Sequence, residues 1–260
     1  MKQIVLIITL LFPLINLNAQ EIEFRENIDK DSLLFVSVQK LPLELREEFI
    51  KIYNNENELN KDFSLFIISM PRSSKRELIE NFEHKKSEIQ KLKTEYLKLV
   101  PDDYIVEIEF EPENKIFTIN EQIAIKIYKP DDGSNGDDEN SNEVQRSDGL
   151  KVISQNWNLE PDSEELKNVI QSIGWTNETL AEIKRLLAEA NCISIENGEV
   201  TTVGFARSGF GKYSYIFFDK PLNSKEKEEY NNGCEYIFYK DNIVLEYGGG
   251  AVGQQCFESE

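Results

Sequence analysis

The chain is 260 residues long, 40% hydrophobic and 30% charged, with a formal net charge of −19 at neutral pH. That apolar content excludes a wholly disordered chain, and the length suits one large or two small domains. An acidic field of this size repels phosphate backbones and anionic lipid, so no nucleic-acid partner is expected.

Residues 1–19 open with one charge, Lys2, followed by an apolar run from Ile4 to Leu17 and a small residue, Ala19. This reads as a secretory signal peptide cut before Gln20. The run is shorter than the ~20 apolar residues a spanning helix needs, and Pro13 interrupts it. The expectation is an exported protein, periplasmic or extracellular, with no stable membrane span.

Residues 20–129 read as an N-terminal α/β domain with a long helix. Leu33 to Val38 is a strand candidate, and Pro42 to Tyr53 a helix with Leu45, Phe49, Ile52 and Tyr53 on one face. The apolar run Phe63 to Met70 fits either a helix or a strand. Ser74 and Glu77 have the spacing of a capping box and open a long helix that Val100-Pro101 ends. Its seam, Leu78, Phe82, Ile89, Leu92, Tyr96 and Leu99, is interrupted at Lys85. From Tyr104 to Phe110, apolar residues alternate with Ile105, Glu107 and Glu109, as in a half-buried strand. Lys115 to Tyr128 is expected to form a further strand pair.

Residues 130–148 read as an acidic disordered linker, because the stretch from Asp131 to Glu143 has no aliphatic or aromatic residue to bury. Asp131, Asn135 and Gly136 fit a calcium-loop pattern, but Gly133 and Asn142 fail it at two ligand positions, so no metal is expected.

Residues 149–260 read as a C-terminal α+β domain. A strand over Leu150 to Trp157 leads to a helix that Asp162 and Glu165 can cap, with Leu166, Val169, Ile170 and Ile173 inward and Gly174 as its stop. A second helix runs from Thr176 to Ala190. Short β runs follow at 192–196, 200–207, 212–218, 234–239 and 243–247, with a short helix over Ser224 to Tyr230. Gly209 and Asp241-Asn242 suit hairpin turns. The fold class expected is α+β: two small domains, the C-terminal one with two helices followed by a mainly antiparallel sheet.

Cys192, Cys234 and Cys256 allow three pairings. A hairpin of 234–239 with 243–247 would bring the tail back toward Cys234, which favours Cys234–Cys256. Cys192 is then left over, as a buried small hydrophobe or a reactive exported thiol. Gly248, Gly250 and Gly253 spell G-x-G-x-x-G, but only seven residues follow Gly253. These cannot supply the helix and ribose acid of a dinucleotide site, so no cofactor is expected.

The segments G-W-T-N-E-T-L, N-C-I-S-I, G-K-Y-S-Y, Y-I-F-Y-K-D-N-I-V-L-E-Y-G-G-G and Q-C-F lie between Gly174 and Phe257. Together they resemble a domain of exported bacterial proteins of unknown function. The resemblance implies a coherent domain and brings no activity with it.

His84 is the only histidine, between Glu83 and Lys85 on the long helix. Zinc-protease sites need more than one, and a Ser- or Cys-His site would need His84 to reach across from the other half. Carboxylate catalysis stays open, because 48 acids give any fold some close pair. The local signal is aromatic: Tyr213, Tyr215 and Phe217 share one strand face, and Tyr236 and Phe238 another. The candidate binding residues are Arg207, Lys212, Tyr213, Tyr215 and Tyr236, as a platform for a sugar or peptide. The competing reading is that these rings are core. The function expected is a non-catalytic binding or interaction module of the envelope or extracellular space, with an unknown protein or glycan ligand. The alternative is a carboxylate-dependent hydrolase acting on an envelope glycan or peptidoglycan-like substrate.

Overall fold

The computed structural model describes residues 23–130, 149–231, 233–248 and 256–257. The signal-peptide reading, positions 131–148 of the linker with its calcium-loop pattern, and Gly250 and Gly253 lie outside the described residues. The chain divides into two compact units. One takes the described residues up to Met70 with Asn114–Ile119, and the other takes Pro71–Glu113 and the described residues from Asn120 on.

Among its described residues the first unit holds three helices: α1 (Lys30–Val38), α2 (Leu43–Asn55) and α3 (Glu58–Ser69). Asp29 caps α1 by accepting from the Asp31 amide, and Asn57 caps α3 by accepting from the Asn60 amide. Val38, Leu41, Phe49, Tyr53, Leu65 and Ile68 form its core. The strand expected over Leu33 to Val38 is thus a helix. Consecutive apolar residues carry neither period, and the Asp29 cap decides the conformation. The strand pair expected over Lys115 to Tyr128 is also corrected, since only its second half is a strand. Around 114–117 the Asn114 side chain instead accepts from the amides of Ile116 and Phe117, folding a turn. Phe117 then packs on Phe24 and Phe66.

The second unit begins with α4 (Lys75–Leu99), opened by the expected Ser74–Glu77 capping box. Lys85, where the apolar seam breaks, has non-helical dihedrals (φ −119°, ψ 17°). Then follow β1 (Ile105–Glu111), β2 (Gln122–Lys129), β3 (Lys151–Leu159), α5 (Glu164–Gln171) and α6 (Asn177–Ala190). The chain continues through β4 (Ser194–Glu196), β5 (Thr201–Ser208), β6 (Gly211–Phe217), α7 (Ser224–Glu229), β7 (Tyr236–Lys240) and β8 (Ile243–Gly248). Ser163, and not Asp162, caps α5 by accepting from the Leu166 amide. Asn191 ends α6 in the left-handed conformation (φ 51°).

Among the described residues, eight strands form one sheet in the order β3-β2-β1-β4-β5-β6-β8-β7, with each of these pairings antiparallel. The sheet runs across the division expected at residues 130–148. β2 and β3 stand on either side of that segment in sequence and are neighbours in the sheet. Strands expected in separate domains therefore share one hydrogen-bonded ladder.

One face of the sheet packs under α4, α5 and α6. Val106, Ile108, Ile125, Ile127, Ile195 and Val203 meet Phe82, Ile89, Leu92, Ile170, Ile183 and Leu187 there. The opposite face has a small apolar cluster of Ile216, Leu222 and Val244 at the β6–β8 end. Toward β1 and β4 that face is mainly polar. Among the described residues, no helix is long and apolar enough to cross a membrane.

Candidate functional site

The polar face is set by strand alternation. Val106 and Ile108 point into the core, so Glu107, Glu109 and Glu111 point the other way. Register carries the pattern across the sheet. Glu107 stands opposite Lys126 on β2 and Glu196 on β4, and Glu109 stands opposite Ala124 and Ser194. Ser194 faces Gly204, Gly204 faces Ser214, and Ser214 faces Glu246. Most of these residues line a concavity of about 430 Å³.

Lys212 crosses its floor. From β6 its Nζ donates to Glu107 Oε1 at 3.1 Å, Glu109 Oε2 at 3.0 Å and Ser194 Oγ at 3.0 Å. Three donors meet three acceptors, so the ammonium is saturated. Gly204 makes the crossing possible, because an added Cβ there would lie 2.1 Å from Ser194 Oγ and 2.9 Å from Lys212 Cδ. Lys126 donates to Glu107 Oε2 at 2.7 Å. Arg207 donates from Nε to Glu109 Oε1 at 2.7 Å and from Nη2 to Glu111 Oε1 at 3.3 Å. Three acids and three bases thus close on one another.

Burial raises the Glu107 carboxyl, but Lys212 and Lys126 more than offset it and hold it down at about 2. Burial lowers Lys212, and Glu109 with Glu107 reverses that, leaving the ammonium above its ordinary value. Glu246 behaves differently. Burial pushes its carboxyl up to about 7; Lys212 opposes this, and Glu235 and Glu196 add to it.

The five residues expected to bind do not form one group. Arg207 and Lys212 belong to the concavity and pair across the β5–β6 hairpin. Tyr213 and Tyr215 lie on the helix side, 2% and 0% exposed. Tyr213 stacks on Tyr247 at 4.3 Å, and the Tyr215 hydroxyl donates to the Leu78 carbonyl at 2.7 Å. They are core, since alternation turns them away from Lys212 and Ser214. Tyr236 is on the polar face, half-buried against Tyr230.

Sequence reasoning misses Glu109, Ser194, Gly204, Glu246 and the pairing of Glu107 with Lys126. The available signal is the acidic side of β1, which reads as solvated until the strand is known to lie inside the sheet. Cys234 and Cys256 form a disulfide. Cys192 is buried, and burial raises its thiol to about 12, so it is not activated. Exposed His84 lines a separate depression of about 580 Å³ beside Lys85, on the helix side. Among the described residues, no group of three or more His, Cys, Asp or Glu is placed to hold a metal ion.

No protein-family model, curated protein sequence or solved structure matches the chain.

Proposed function

We propose that the protein is an exported, non-catalytic binding module whose ligand occupies the concavity on the polar face of the sheet. The closed charge network carries this reading. Lys212, Lys126 and Arg207 are each engaged with Glu107, Glu109 or Glu111, so the floor is a rigid, nearly neutral hydrogen-bonding surface. Such a surface positions a ligand, whereas an acid–base site keeps a group poised to move a proton. The test is a titration of isotope-labelled protein with envelope glycans and peptides. Shifts should cluster at Glu107, Lys126, Ser194 and Lys212, with the ligand recovered intact. Turnover of the ligand would overturn the reading.

One observation favours a second reading, a carboxylate-dependent hydrolase. Glu246 and Glu107 line the same concavity with carboxyls held at about 7 and about 2. A split of that kind suits one protonated acid and one ionised partner. This reading requires hydrolysis of an envelope glycan with a bell-shaped pH profile, abolished by Glu246→Gln. A glycan left uncleaved by the wild-type protein counts against it.

A further inference from the structure

We infer that the ligand is an uncharged saccharide lying across β1, β2 and β3, with one ring stacked on Trp157. This rests on the binding reading above and adds the ligand class and a contact residue outside the concavity. Trp157 is 55% exposed, while Trp175, the other tryptophan, is 3% exposed and donates from its indole to the Leu99 carbonyl at 2.7 Å.

Register places Trp157 beside the concavity. Gln155 pairs with Lys126, which pairs with Glu107, so all three share the polar face. Asn156 pairs with Ile125 on the core side, and strand alternation returns Trp157 to the polar face. A bulge then sets Trp157 and Asn158 against the single residue Ala124, which is opposite Glu109. Strands are about 4.8 Å apart, so Trp157 is roughly 10 Å from the Glu109 backbone, the reach of about two sugar rings.

The chemistry along that path is mixed in the way a saccharide requires. Trp157 offers a flat apolar surface, and Ala124 leaves room beside it. Gln155, Lys126 and Glu107 supply amide, ammonium and carboxylate to hydroxyl groups. A charged ligand would compete with the closed pairs of Lys126 and Glu107, whereas neutral hydroxyls add to them. Among the described residues β3 is the outer strand of the sheet.

The experiment is acrylamide quenching of tryptophan fluorescence, with short uncharged oligosaccharides of glucose and of N-acetylglucosamine, alongside amide-shift mapping. Buried Trp175 contributes little, so quenching reports Trp157. Saccharide should protect Trp157 and shift Gln155 and Lys126. Trp157→Ala should lose about tenfold in affinity, with Trp157→Phe retaining most of it. If peptides shift the concavity and no saccharide protects Trp157, the inference falls and the binding reading stands. If neither class shifts the concavity, both fall.

Discussion

At the residue scale, the concavity depends on a missing side chain. Lys212 lies over Gly204 to reach β1, and the space a Cβ would take is already filled by Ser194 Oγ and Lys212 Cδ. Gly204→Ala should therefore destabilise by about 1–3 kcal/mol, the usual cost of overpacking. Adding Ser194→Gly should recover part of it, as urea-unfolding midpoints of the single and double variants would show. Lys212→Met removes the charge that bridges Glu107 and Glu109, leaving Lys126 on the first and Arg207 on the second. Breaking a buried pair costs about 3–5 kcal/mol when the remaining charge is left alone, so with these two bases in place the loss should be at or below the lower end, and smaller still in a variant that also carries Glu107→Gln. Glu246 has the opposite sign. Its folded carboxyl is raised to about 7, so its contribution to stability is complete below about 4.5 and is lost as pH rises through about 7. Glu246→Gln should be nearly neutral at pH ~4 and stabilising at pH ~8, by on the order of 3 kcal/mol at most. Equal effects at the two pH values would show that Glu246 ionises normally.

At the scale of elements, short-range signals were legible and long-range ones were not. The Ser74–Glu77 spacing and the Val100-Pro101 stop read correctly, because caps act within a few residues, whereas Lys85 was legible as a gap in the apolar seam and not as a residue with non-helical dihedrals. The Glu107 and Glu109 alternation also marked a strand. Its meaning was hidden, because register with Lys126, Ser194 and Gly204 arises from pairing between strands far apart in the chain. Leu33 to Val38 failed for the reverse reason, since an apolar run without a period leaves the cap at Asp29 to decide. The reciprocal cap on α4 gives a test at this scale. Ser74→Ala removes the acceptor for the Glu77 amide and should cost about 1 kcal/mol. Amide exchange should quicken in the first turn of α4 and leave the segment beyond Lys85 unchanged. Quickening along the whole helix would mean that the non-helical residue does not divide it.

At the scale of the whole molecule, the sheet joins strands from both sides of the acidic segment, and its β7–β8 end is fastened by the tail. Phe257 donates its amide to the Cys234 carbonyl and packs on Tyr213 and Tyr247, while Cys256 is bonded to Cys234. The tail thus closes the helix-side core directly behind the strand that carries Glu246 and Gly248. The crosslink spans 22 residues, and a loop of that size limits the unfolded chain by about 3 kcal/mol. Cys256→Ser should lower stability by about that amount, with reduction of the wild-type protein giving the same loss. The core contact separates from the crosslink in Phe257→Ala, which keeps the disulfide and exposes the Tyr213–Tyr247 stack. If the tail acts only by shortening the unfolded chain, Phe257→Ala should leave amide exchange in β8 untouched. Faster exchange at Glu246 and Tyr247 would show that the packed ring, beyond the covalent bond, helps to hold that edge of the sheet in place.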